Sequence, residues 1–205
     1  INGKEVFIKS PVDAFKYKIG MIHQHFKLVD VFTAAENIVL GVNDKYGFKT
    51  VNARVQEIAD KYGFTIDCKK KIHEMSVSEK QTVEIIKVLY RGADILILDE
   101  VLSVGDGAFR KKSGDKMQEI IQGGVTAILV SHVMPQVREL CTKILWLDHG
   151  KQVCFSGDVQ ETCDAYEWFL SQKKKTPPKS EKEIHEMAAK WRKKLMEDEK
   201  KEKEK

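Results

Sequence analysis

The sequence predicts an α/β domain built on a mainly parallel sheet. Three observations carry that prediction. Short apolar runs rich in branched residues alternate with longer segments of helical periodicity. One of those runs, Ile95–Leu98, has no polar alternation, as expected of a strand buried on both faces. A 205-residue chain with a hydrophobic fraction of 42% is also long enough to close a full core and carry an appendage.

In chain order, strands are expected at Glu5–Ile8, Ile19–His23, Ile95–Leu98, Thr126–Val130, Ile144–Leu147 and Gln152–Phe155. Between them, Val51–Tyr62 places Val51, Val55, Ile58 and Ala59 on one helical face. Ser78–Tyr90 spaces Val83, Ile86 and Leu89 as a buried stripe, and further helices are expected at Phe109–Ile121, Pro135–Cys141 and Asp158–Leu170. The stretch "DHGKQ" (Asp148–Gln152) reads as a hairpin turn between the last two strands. Together these predict a parallel sheet covered on both faces.

The composition changes at Lys173. "KKKTPPKS" (173–180) carries adjacent prolines among charges and is expected to be a linker. Ser180 and Glu183 then form a capping-box pattern, and Ile184, Met187, Ala188, Trp191 and Leu195 recur at three- and four-residue steps. Residues 181–205 are therefore a charged amphipathic helix with a Lys/Glu tail. Its two readings are a solvated, fraying helix and a docking helix for a partner or another copy, anchored by Trp191.

A net charge of +4, much of it in this C-terminal end, does not suggest a nucleic-acid binder. No apolar run approaches the roughly 20 residues that span a bilayer, and no signal peptide opens the sequence. Cys68, Cys141, Cys154 and Cys163 form no C-x-x-C pair and have no histidine at ligand spacing, so they read as free thiols.

The chemistry concentrates at "ILILDEVLSVGD", Ile95–Asp106. A buried strand here delivers Asp99 and Glu100 to a sheet edge. An acidic pair at such a place needs a cation or hydrogen bonds. Asp99 is suited to hold magnesium, and Glu100 to orient and deprotonate a water. Such a strand works beside a phosphate-cradling loop, G-x-x-x-x-G-K-[ST]. No such pattern occurs in these residues; Gly3-Lys4 and Gly150-Lys151 lack both the hydroxyl residue and the spaced upstream glycine. His23 and His25 invite a metal reading, but lack a third ligand and are taken as loop residues; Lys87 and Arg91 are taken as surface charges.

"IGMIHQHFKLVDVFTAAENIVLG" (19–41), "EMSVSEKQTVEIIKVLYRGADILILDE" (74–100) and "TAILVSH" (126–132) occur in the order found in the ATP-binding subunits of ABC transporters, and the chain resembles that family to about Leu170. The resemblance implies a P-loop NTPase-like (RecA-like) sheet with a helical subdomain at about residues 30–90, in an ATPase domain over 1–172. By the same resemblance, Gln24 is the Q-loop glutamine that touches magnesium. Ser76, Val77, Ser78 and Glu79 occupy the signature turn facing the nucleotide of a partner protomer. Asp106 lies in the D-loop, and His132 is the switch histidine at the terminal phosphate. The cofactors implied are ATP and magnesium. The partners implied are a transmembrane permease subunit and a second ATP-binding subunit in a homo- or heterodimer. The location implied is cytoplasmic, on the inner face of the membrane.

The chain departs from the family pattern in three ways. The phosphate loop and the strand before it are missing, which predicts an N-terminally truncated domain and an incomplete site even in a homodimer. Ser78 stands where a glycine is usual and predicts crowding of the γ-phosphate or a strained turn, and Thr82 replaces a frequent positive charge. Up to Glu100 the chain is similar to importers of simple sugars and nucleosides. From Val101 it looks like exporters of polysaccharide and teichoic acid, which suggests a composite of two genes. Three expectations follow: an ATP-binding subunit or fragment that couples ATP hydrolysis to transport, a non-catalytic regulatory or interaction protein with a degenerate nucleotide fold, and a product with no stable fold.

Overall fold

The computed structural model describes residues 1, 3–42, 47–100, 107–173 and 176–203. They form two compact units, Ile1–His132 and Val133–Lys205.

In the first unit, Ser10 caps helix α1 (Pro11–Lys16) by accepting the Asp13 amide, with proline at the position where a missing N–H costs nothing. Strand β1 (Ile19–Ile22) follows. Helix α2 (Ala34–Val39) opens on a full capping box between Thr33 and Glu36. Helix α3 (Phe48–Lys61) and a 3-10 turn (Ile72–Glu74) lead to helix α4 (Val77–Tyr90). Strand β2 (Ile95–Asp99), helix α5 (Gly107–Gln122) and strand β3 (Thr126–Val130) complete the unit.

The three strands are parallel in the order β1-β2-β3. Gly20, Leu96 and Ala127 align across the sheet, as do Ile22, Leu98 and Leu129. Gly20, Ile22, Leu96 and Leu98 are buried. Helix α4 lies against this face: a Cβ on Gly20 would come within 2.1 Å of a Val88 methyl, so only glycine admits the helix so close. The opposite face departs from expectation, because Met21, Ile128 and Val130 are exposed there. Glu5–Ile8 also forms no strand, and Phe7 is 79% exposed. A β-type run without a neighbour to pair with gains no ladder.

A second layer of packing joins α2, α3 and α4. Ile38, Val51, Val55, Ala59, Ile72, Val83 and Ile86 form its buried centre. Because α4 meets this cluster on one side and the sheet on the other, it is buried nearly all round rather than along one stripe.

The second unit contains helix α6 (Met134–Leu140), the antiparallel pair β4 (Ile144–Asp148) and β5 (Lys151–Ser156), and helices α7 (Val159–Ser171) and α8 (Glu181–Lys203). The expected hairpin turn is there, with positive φ at both His149 and Gly150, as a type I′ turn requires. Neither reading of the C-terminal helix survives at its first half. Ile184 and Ala188 are buried with Trp146, Ala165 and Phe169. Arg192 pairs with Asp164 at 2.6 Å and His185 with Glu161 at 2.6 Å. The helix is therefore docked within its own unit. Trp191 is not the anchor; it sits half-buried with the Lys194 ammonium over its ring.

Candidate functional site

The apolar run of β2 ends in two acids because the strand passes from the core to the carboxyl edge of the sheet. The register then determines what meets them. Ile22 pairs with Leu98, so Gln24 and Glu100 lie two residues beyond the same pairing, and His132 lies two residues beyond Val130, the partner of Asp99. Gln24 comes from the end of β1 and His132 from the end of β3. Glu100 sits between them, its backbone amide donating to the Val130 carbonyl at 3.0 Å. Gln24 Nε2 donates to Glu100 Oε2 at 3.0 Å, and His132 Nδ1 lies 2.6 Å from Glu100 Oε1. Three of the predicted site residues are thus brought together, at the carboxyl ends of parallel strands where α/β sheets bind ligands.

Glu100 adopts φ 51°, a left-handed conformation that side-chain-bearing residues seldom take. Strain of this kind costs on the order of 1–3 kcal/mol and clusters at functional sites. The Glu100 carboxylate meets Gln24 and His132 from this conformation. Asp99 precedes it at the half-buried end of β2. Among the described residues no cluster of three or more His, Cys, Asp or Glu side chains could hold a metal by itself.

Ser76, Val77, Ser78 and Glu79 form a second cluster at the N-terminus of α4. Ser76 Oγ accepts the Glu79 amide at 3.3 Å, while the Ser76 amide donates to Glu79 Oε2 at 2.8 Å. Lys70 Nζ donates to the other Glu79 oxygen at 2.7 Å. The Lys70 hydrogen bond, together with that from the Ser76 amide, holds the Glu79 carboxyl below its usual range. Ser78 makes no strained turn, since it lies inside the first turn of the helix and its φ is not positive. Its carbonyl accepts the Thr82 hydroxyl at 3.1 Å. The predicted D-loop, with Asp106, lies outside the described residues.

Several residues that shape the site were not singled out from the sequence. Asn37, fully buried on α2, accepts the Val29 amide at 2.7 Å and donates to the Val29 carbonyl at 3.1 Å. Glu84 is buried on α4 and takes the Lys27 amide. Both are polar residues interrupting apolar helix faces, which was the signal available. Lys87 and Arg91 are not plain surface charges: Lys87 donates to the Lys27 carbonyl, and Arg91 donates to the Leu40 carbonyl and lies 4.9 Å over the Phe15 ring.

Comparison with known proteins follows the same lines. A family profile described as ABC transporter matches residues 1–103. The nucleoside import ATP-binding protein NupA of Lactococcus lactis subsp. cremoris is 38% identical over 157 residues, which cover 75% of this chain and 31% of NupA. The teichoic acids export ATP-binding protein TagH of Bacillus anthracis is 51% identical over 77 residues, 38% of this chain and 14% of TagH. Importer and exporter likenesses therefore both occur, and the importer alignment is too long to stop at Glu100. The chain spans about a third of the length of the import relatives it matches. Among solved structures, the dimeric post-hydrolysis ATP-binding cassette MJ0796 bound to ADP and Pi superposes with a TM-score of 0.60 at 18% identity, covering 73% of this chain and 67% of that one. That match gives the sheet and helices described above the P-loop NTPase fold of an ATP-binding cassette. With the profile covering half of its residues, the chain belongs to the ABC transporter family.

Proposed function

We propose that this chain is part of the ATP-binding component of an ABC transporter, which couples ATP binding and hydrolysis to transport through a separate membrane-spanning permease. The observation that carries the reading is the convergence of Gln24 and His132 on the Glu100 carboxylate at the carboxyl edge of the sheet. Asp99 and the Gln24 carboxamide offer hard oxygen donors, which suit magnesium held jointly with nucleotide phosphates. A bound magnesium supplies neutralisation of phosphate charge. Glu100 takes a proton from water, and His132 donates to a terminal phosphate. The Ser76–Glu79 turn faces the nucleotide of a second ATP-binding subunit, in a homo- or heterodimer. Among the described residues no helix is long and apolar enough to cross a membrane. A subunit in this role works in the cytoplasm, held at the inner face of the membrane by the permease. Sugars or nucleosides are the cargo that the import relatives favour.

A second reading, a non-catalytic interaction protein, is favoured by one observation. The first backbone donor that the Ser76 turn has for a phosphate is already taken by the Glu79 carboxylate. Calorimetric titration with magnesium-ATP separates the two. The first reading expects saturable binding that weakens about tenfold or more in Asp99→Asn, the loss typical of a disturbed metal site. An intact, folded chain giving no heat of binding rejects it in favour of the second.

A further inference from the structure

Gln24 reaches Glu100 from an irregular stretch, residues 23–29, that has neither helix nor ladder hydrogen bonds to hold it. A side chain on such a loop stays placed only if the loop backbone is held by something else. Two residues of α4 do this. Glu84 Oε1 accepts the Lys27 amide at 2.7 Å, and Lys87 Nζ donates to the Lys27 carbonyl at 2.8 Å. The two side chains lie one turn apart and face each other at 3.4 Å. Both polar groups of one residue, three positions after Gln24, are therefore gripped by a single helix.

The grip is costly to build. Glu84 is 2% exposed and the Lys87 side chain 13%. A buried ion pair of this kind gains little or nothing for stability over apolar residues of the same shape. A cavity of about 120 Å³ opens beside the clamp, bordered by His23, Lys27, Glu84, Lys87 and Arg91. On that side Lys27 is held by these hydrogen bonds, while further along the stretch Leu28 packs against the helical core and Asn37 grips Val29.

We propose that Glu84 and Lys87 are positioning residues for Gln24. They hold its loop so that the carboxamide meets Glu100, and they fasten that loop to the same helix that Ser76 caps. The inference rests on Gln24 belonging to the nucleotide site. Its test uses no nucleotide, so its failure is distinct from a failure to bind magnesium-ATP.

The test compares Glu84→Leu with Glu84→Gln in the isotope-labelled chain by nuclear magnetic resonance. Leucine fills the site without an acceptor, whereas the glutamine oxygen still accepts the Lys27 amide. In Glu84→Leu the Gln24 side-chain amide signals should move to those of a freely exposed glutamine. The Lys27 amide should exchange with solvent about tenfold faster or more, and the unfolding midpoint should fall, because Lys87 and the Lys27 amide lose their shared acceptor. Glu84→Gln should restore the Gln24 signals. A folded Glu84→Leu chain with unmoved Gln24 signals overturns the proposal, because Glu84 then serves only its own stretch of backbone. If Glu84→Leu does not fold, Lys87→Met is read by the same two signals. It removes the donor to the Lys27 carbonyl and leaves Glu84 in place.

Discussion

Single residues in this chain act mainly through what they do to a neighbour's charge or conformation. His149 is an exposed instance. Its Nδ1 lies 3.0 Å from Asp148 Oδ2, and that hydrogen bond, with the carboxylate's charge, raises the imidazole above its ordinary 6.5. A raised folded value means the contact stabilises the hairpin fully below pH 6.5 and is lost as pH climbs through the folded value. Full exposure keeps the effect on stability small. A proton titration followed by nuclear magnetic resonance should place His149 above 6.5, and Asp148→Asn should return it to about 6.5. A titration that Asp148→Asn leaves unmoved would assign the shift to something other than this pair. Glu100 shows the other kind of influence. Its positive φ and its two hydrogen-bond partners could not be read from the Asp-Glu dipeptide, although the dipeptide did locate the site.

At the scale of elements, legibility followed local chemistry. Helices with a clean apolar period came within a few residues of expectation: α3, which has no side-chain cap, from its Val51, Val55 and Ala59 face, and α7 from its Asp158 cap onward. The two shortest did not, because α1 and α2 are each six residues long and too brief to show a period. Glu5–Ile8 failed for the opposite reason, since strand formation depends on a partner outside the segment. The C-terminal helix α8 was ambiguous because its apolar stripe is narrow; the packing of Ile184 and Ala188 under Trp146 and Phe169 decided it. The docking carries its own prediction. Ile184→Ala should remove about 2 kcal/mol or more from the stability of the second unit, the low end for truncating a buried isoleucine. Leu195→Ala, on the exposed half of the same helix, should change it by no more than about 0.5 kcal/mol. Denaturant unfolding of both variants checks this, and equal losses would show that the stripe does not end where burial ends.

At the scale of the whole molecule, the parallel sheet and its carboxyl-edge site were foreseeable from the order of motifs, whereas the division into two units was not. The sequence breaks visibly at Lys173, but contacts divide the chain after His132, where no run of glycine, proline or charge marks a boundary. Each unit has its own buried centre, one around Ile38, Val55 and Ile86, the other around Trp146, Phe169 and Ala188. Two thiols report on them separately. Cys68 packs against the first centre, and Cys163 is fully buried in the second unit. Burial raises both thiols, Cys163 to about 11, so neither carries much reactive thiolate at neutral pH while its surroundings stay closed. Labelling by a thiol reagent across a denaturant series, with Cys141 and Cys154 replaced by serine, should give two midpoints. Cys68 should follow the loss of the first unit and Cys163 that of the second, because opening one centre removes no buried contact from within the other. A single shared midpoint would mean that the two units unfold as one cooperative body, and the boundary after His132 would then have no thermodynamic meaning.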